Sequence, residues 1–129
     1  MNKIYYAHSK MIYDTEREEM ERKAINSLSG TVLCPNRDMV DYGSMDAYVD
    51  AVKKSKAVVC SELDGHIGRG VCLEVLTAIN YSKPVFCLRI KSKKPKFYKV
   101  LDIKTVDSDD WRLKYAKLVV SRKPVLKLL

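Results

Sequence analysis

Apolar and polar positions alternate in blocks along this chain, and the block lengths set the expected elements. KIYYAH (3–8) is short, apolar and aromatic and predicts a first strand. Thr15 and Glu18 then form a capping-box pattern, TERE, opening a helix. Met20, Ala24 and Leu28 follow at i, i+4 and i+8, the period of one helical face, and Gly30 ends the run. TVLC (31–34) predicts a second strand closed by Pro35, and the polar stretch 36–43 predicts a loop. Ser44 caps a helix whose stripe is Met45, Val49 and Val52. AVVCS (57–61) and PVFCLRI (84–90) are continuous apolar runs, the pattern of strands buried on both faces. Between them, ELDGHIGRG is a glycine-bearing loop and VCLEVLTAINY a helix with a Val71–Val75–Ala78 stripe. Beyond residue 90 the pattern predicts a loop at KSKKPK and a fifth strand at FYKVLDI. A last helix is expected over 108–120, capped by Ser108 and packed through Trp111 and Tyr115.

Alternating β and α units predict an α/β fold: a doubly wound, mainly parallel sheet of about five strands flanked by helices, Rossmann-like or flavodoxin-like. At 129 residues the chain fits a single domain, long enough to bury a sizeable core. Hydrophobic content of 47% against 31% charged residues places it with globular proteins rather than disordered ones. No apolar run approaches the roughly 18 residues of a membrane span, and MNKIYYAHSK lacks the features of a signal peptide. No membrane partner and a cytoplasmic location are therefore expected.

Charge divides the chain. Residues 1–88 hold 11 basic and 12 acidic side chains, a net of −1, and residues 89–129 hold 13 and 4, a net of +9, so the overall +8 comes from the last third. A basic segment of this kind is either a solvated surface or one that attracts phosphates or nucleic acid. Cys34, Cys60, Cys72 and Cys87 sit in apolar contexts without a CxxC pair and read as reduced core residues. His8 and His66 lack metal-ligand spacing, so no metal site is expected. Neither a Walker A nor a GxGxxG motif is present, and no cofactor is expected.

The chemistry concentrates on GRGVCLEVLTA (68–78). Open α/β sheets bind ligands beyond the carboxyl ends of their strands. Glu74 falls near the start of a helix at that end. It lies about 60° from the core stripe at about 100° per residue, at the edge of the buried face. Gly65, Gly68 and Gly70 allow close backbone approach and positive φ. The helix N-terminus favours anions and is expected to keep Glu74 ionised. An ionised, partly desolvated carboxylate is a candidate nucleophile. Lys10 and Arg69 beside the glycine loop are candidate phosphate contacts, and His8 is a candidate acid.

IYYAHS (4–9), KAVVCSELD (56–64), GVCLEVLTA (70–78) and SKPVFCLR (82–89) resemble the nucleoside 2-deoxyribosyltransferase superfamily. The branch most similar is that of the 2'-deoxynucleoside 5'-phosphate N-hydrolases. The most specific piece is Gly70 to Glu74 with Ala78 and Lys83-Pro84; residues 91–129 carry no resemblance. The resemblance implies a glutamate that attacks the anomeric carbon of a nucleoside or nucleotide. The base leaves, and water or a second base takes the sugar. It implies Glu74 as nucleophile, Ser9 against the sugar or phosphate, the Gly68–Gly70 backbone on the phosphate side, and Tyr6 near the base. The family's orienting aspartate falls on Tyr48, flanked by Asp46 and Asp50. The resemblance makes His8 a candidate acid on the leaving base, Asp50 a candidate substitute for the orienting acid and Asp64 a candidate acceptor for a sugar hydroxyl. A homodimer is implied as well. Two alternatives stand beside the enzyme: a catalytically silent nucleotide-binding protein on the same scaffold, and a nucleic-acid-associated protein led by the basic third.

Overall fold

A computed structural model of the chain describes residues 3–29, 31–39, 44–106 and 114–126. Its sheet has six strands: β1 (Ile4–Ala7), β2 (Val32–Leu33), β3 (Ala57–Ser61), β4 (Val85–Lys91), β5 (Lys94–Thr105) and β6 (Ala116–Val120). Their spatial order is β2-β1-β3-β4-β5-β6. The first four are parallel neighbours, whereas β5 pairs antiparallel with β4, and β6 with β5. Every residue of β1 and β3 is buried, which is why their sequences are unbroken apolar runs rather than alternations.

Helices lie on both faces. The helix α1 (Glu16–Ser29) contributes Ala24 and Ile25 to a core with Ile4, Tyr6, Val59, Phe86 and Phe97. A single turn α2 (Pro35–Asp38) follows β2, then α3 (Met45–Lys54) and α4 (Arg69–Asn80). Val52, Val71, Val75 and Ala78 of the last two join Tyr5, Ala7, Val58 and Cys87 on the opposite face. All four cysteines are buried and free, as expected for reduced core residues. Among the described residues no helix is long and apolar enough to cross a membrane.

Several expectations meet a different outcome. Residues 36–43 do not begin as loop, because Pro35 starts the turn α2: proline suits a first helical position, where no N–H is needed. The inward face of α1 keeps Ala24 of the expected Met20–Ala24–Leu28 stripe but not Met20, and the Leu28 side chain lies outside what the structure describes. Met20 is 44% exposed, while Glu18 and Glu21 are buried beside Ala24 and Ile25. Periodicity counts apolar positions and misses acids that find polar partners on the sheet. Gly30 lies outside the described residues. KSKKPK is not a loop either: β4 and β5 run through it and meet at a two-residue turn, Ser92–Lys93, with φ of 51° and 62°. FYKVLDI lies inside β5 as predicted.

The last helix is overturned where it can be seen. Ala116–Val120 is a strand, antiparallel to β5; residues 108–113, with Ser108 and Trp111, lie outside the described residues. Ala116 and Leu118 are buried and Lys117 is exposed, the period of two that a strand requires. The acidic start and aromatic spacing of 108–115 fit a helix locally, but the ladder to β5 supplies the hydrogen bonds for 116–120.

Candidate functional site

A cleft of ≈ 1090 Å³ opens at the carboxyl ends of β1 and β3. Its walls come from the segment after β1 (His8 to Met11, and Tyr13), from Tyr48 of α3, and from the first half of α4. Glu74 lies in the wall and is 6% exposed. The alternation of β1 explains its partner: Tyr5 points to the α4 side and donates its hydroxyl hydrogen to Glu74 Oε2. Tyr13 and Tyr48 also line the cleft, close enough to act electrostatically on each other and on this pair.

Burial governs the electrostatics. Desolvation pushes the Glu74 carboxyl up to about 8, with the Tyr5 hydrogen bond pulling only partly the other way. Burial and the neighbouring Glu74 raise the Tyr5 phenol above its ordinary value, so its proton stays on oxygen and is donated. The expectation that the helix N-terminus keeps Glu74 ionised is therefore corrected. Counted from Arg69, Glu74 is the sixth residue of α4, and the helix-end field fades within the first turn.

That helix start does face the cleft. Gly68 precedes it with no side-chain cap, and Gly68, Arg69 and Gly70 all line the wall. The N–H groups of the first turn, which have no partner within a helix, are presented there. Positive φ is not what these glycines supply: Gly68 has φ −80°, and only Gly65, in the turn with Asp64, is positive at 78°. A Cβ at Gly70 would meet nothing within 4 Å.

The remaining predicted residues divide into two groups. Ser9, Lys10, Arg69 and Tyr48 line the cleft. Ser9 spends its Oγ on the Met11 N–H at 3.1 Å, capping the short turn Lys10–Ile12. Arg69 stands over the Tyr115 ring, 5.8 Å from its centroid. Tyr6, Asp50 and Asp64 are not among the lining residues. Tyr6 points to the α1 face and donates to Glu21, because neighbouring strand residues point to opposite faces. Asp50 is exposed and paired with Lys54 at 2.9 Å. Asp64 is an exposed turn residue with φ 53°.

His8 reaches the cleft edge but is engaged on both sides. Its Nδ1 lies 3.1 Å from the Tyr6 carbonyl and its Nε2 2.7 Å from Glu18 Oε2. Its ring stacks on Tyr6 at 3.7 Å. Burial pulls the His8 pKa below its ordinary value, against the Glu18 carboxylate. Burial pushes the Glu18 carboxyl up, but hydrogen bonds from His8, the Asp14 N–H and Arg37 outweigh it and leave Glu18 below the usual range. His8, Glu18 and Cys34 bring potential ligand atoms within 4.8 Å of one another. His8 Nε2 and Glu18 Oε2 are bonded to each other at 2.7 Å, and Arg37 Nε holds the other carboxylate oxygen at 3.1 Å.

Sequence reasoning missed three site residues: Tyr5, Tyr13 and Tyr115. Tyr5 was discoverable in principle, since it alternates with Tyr6 on a strand buried on both faces. Tyr115 reaches the wall only because the backbone at Ile67 bonds Tyr115 and Ala116, at 3.1 and 2.8 Å. No family model matches the chain, and no curated protein or solved structure matches it with significance.

Proposed function

We propose that the cleft cleaves or transfers the N-glycosidic bond of a nucleoside or nucleoside 5'-monophosphate, with Glu74 as nucleophile. The observation that carries this reading is a buried carboxylate in the wall of an open cleft, with a phenol donating to it and a helix start beside it. In its ionised form Glu74 attacks the anomeric carbon, and the base leaves with the bonding electrons and takes up a proton. Water or a second base then displaces the glutamyl ester. The Tyr5 hydroxyl steadies the carboxylate while it is charged and is positioned to follow it as the ester forms. A 5'-phosphate fits the first-turn N–H groups of α4, with Lys10 and Arg69 as counter-charges.

The parallel order β2-β1-β3-β4 with helices on both faces supports a doubly wound, flavodoxin-like reading of that half. Leu73 and Leu76, each 42% exposed on α4 beside the cleft, support a homodimer that closes over it. Leu76→Lys should then shift the mass in solution from dimer to monomer; a wild-type monomer refutes the dimer.

The test of the activity is base release from a panel of ribo- and deoxynucleosides, their 5'-monophosphates and NAD. No free base from any of them at high protein concentration would reject catalysis. One observation favours the silent nucleotide-binding alternative: among the described residues Glu74 is the acidic residue of the wall, with Tyr48 where the resemblance expects an aspartate. That reading expects a nucleotide-induced thermal shift with no ligand consumed, equal in wild type and Glu74→Gln.

A further inference from the structure

The β4–β5 hairpin has two unlike faces. On one, Leu88, Phe97 and Ile90 pack with Val125. The other carries a row of cations: Arg89 pairs across the ladder with Lys96, and Lys91 with Lys94. Tyr98 continues that face, one pair inward opposite Cys87, and Arg89 lies over its ring at 5.5 Å. Lys91, Lys94 and Lys96 are exposed, and Arg89 and Tyr98 partly so. Among the described residues one carboxylate meets the row, Glu62, bonded to Arg89 at 2.9 Å. The row does not belong to the cleft, whose lining contains none of these side chains.

We infer that this ribbon face binds single-stranded nucleic acid through its phosphates, without sequence preference. Same-face neighbours along a strand stand about 7 Å apart. That separation is comparable with the spacing of successive phosphates in an extended strand, so Lys94 and Lys96 can follow one backbone. The Arg89–Tyr98 stack offers a flat surface at the end of the row, and bases stack on such surfaces whatever their identity. The two-residue turn at positive φ holds the two halves of the row in fixed register. An anionic membrane fits less well, because among the described residues the cationic face presents no exposed large apolar side chain to enter it.

Anisotropy of a labelled 25-nucleotide single strand on the whole protein tests this, at about 50 mM and 200 mM salt. Binding at low salt is expected. Its log K should fall with log salt at a slope of roughly −2 to −3, as three or four phosphate contacts on a single strand require. The triple variant Lys91→Glu, Lys94→Glu, Lys96→Glu should abolish it, with the melting temperature unchanged because these side chains are exposed. Tyr98→Ala should weaken it roughly 5- to 100-fold. Lys23→Glu with Lys53→Glu, which makes a change of the same sign elsewhere, should leave most of it. No binding at low salt overturns the inference. So does an equal loss from the distant variants, equal affinity for a duplex, or binding to anionic vesicles instead. Glu74→Gln should bind the strand as wild type does, so this result is independent of the glycosidic reading.

Discussion

Residues 3–88 and 89–126 share one sheet but solve different problems. The first stretch is parallel, with helices over both faces, and it sinks several polar side chains into partnered networks: Tyr6–Glu21–Ser61 and His8–Glu18–Arg37. The second is antiparallel, buried on one face of its first hairpin, and sends its charge to solvent. Parallel pairing forces crossovers, and the crossovers leave a crevice at the carboxyl edge where Glu74 can be desolvated yet reached. A hairpin forces none, so its free face is available for side chains that stay hydrated. The two halves therefore carry two kinds of electrostatics, one tuned by burial and one by number and spacing.

The sharpest break of this comparison is at Glu74. Glu74→Gln should lower base release by at least about 1,000-fold, since the amide cannot form the glycosyl ester. The variant should fold, and near pH 7 it should be more stable than wild type, because there the unfolded wild-type carboxyl is ionised while the native one must hold its proton. A destabilised variant with normal specific activity would remove Glu74 from the chemistry. Next in size is Phe97→Ala in the other half. Phe97 is 3% exposed against Leu88 and Val125, and its loss should cost roughly 3–5 kcal/mol in urea unfolding. A cost below about 1 kcal/mol would mean that the hairpin is not fastened to the core.

The pH dependence of stability separates burial from surface charge. A carboxyl raised from 4.5 in the unfolded chain to about 8 in the fold binds a proton that the unfolded chain releases. Its contribution is fully present below pH 4.5 and is lost as pH rises through 8. It amounts to a few kcal/mol, at about 1.4 kcal/mol for each tenfold change in proton affinity. The slope of stability with pH over that window should vanish in Glu74→Gln. That variant should then melt higher than wild type at pH 8.5. An unchanged slope would place the carboxyl in water. The smallest effect is at Tyr5. Tyr5→Phe removes the group that pulls the Glu74 pKa down, so any activity should need higher pH, with a loss of stability near ~1 kcal/mol. An unshifted pH–rate profile would show that the phenol does not act on the reacting carboxylate.

Much of this was readable before folding, for local reasons. β1, β3, β4 and α4 announce themselves because a strand buried on both faces leaves no room for polar residues, and a packed helix repeats its stripe. Ser44 was legible as a cap, and its Oγ accepts from the Ala47 N–H at 3.4 Å. Glu74 was legible as an acid at the edge of a buried face. Its protonation was not, because a pKa is set by the dielectric and partners around the group, which only packing defines.

What chain composition and periodicity decide here is the α/β order of residues 3–88, the single carboxylate near the start of α4, and the gathering of cations after residue 88. Tertiary structure decides which side chains meet. It turns Tyr5 toward Glu74 and Tyr6 toward Glu21, from adjacent positions with the same side chain. It makes Ala116–Val120 a strand, because β5 offers a ladder edge that local propensity cannot see. It sets Arg89, Lys91, Lys94 and Lys96 in one row, since a turn at two residues of positive φ fixes the register of the hairpin. Each of these joins groups through hydrogen bonds or pairing across the sheet, and such contacts leave no periodic trace along the chain.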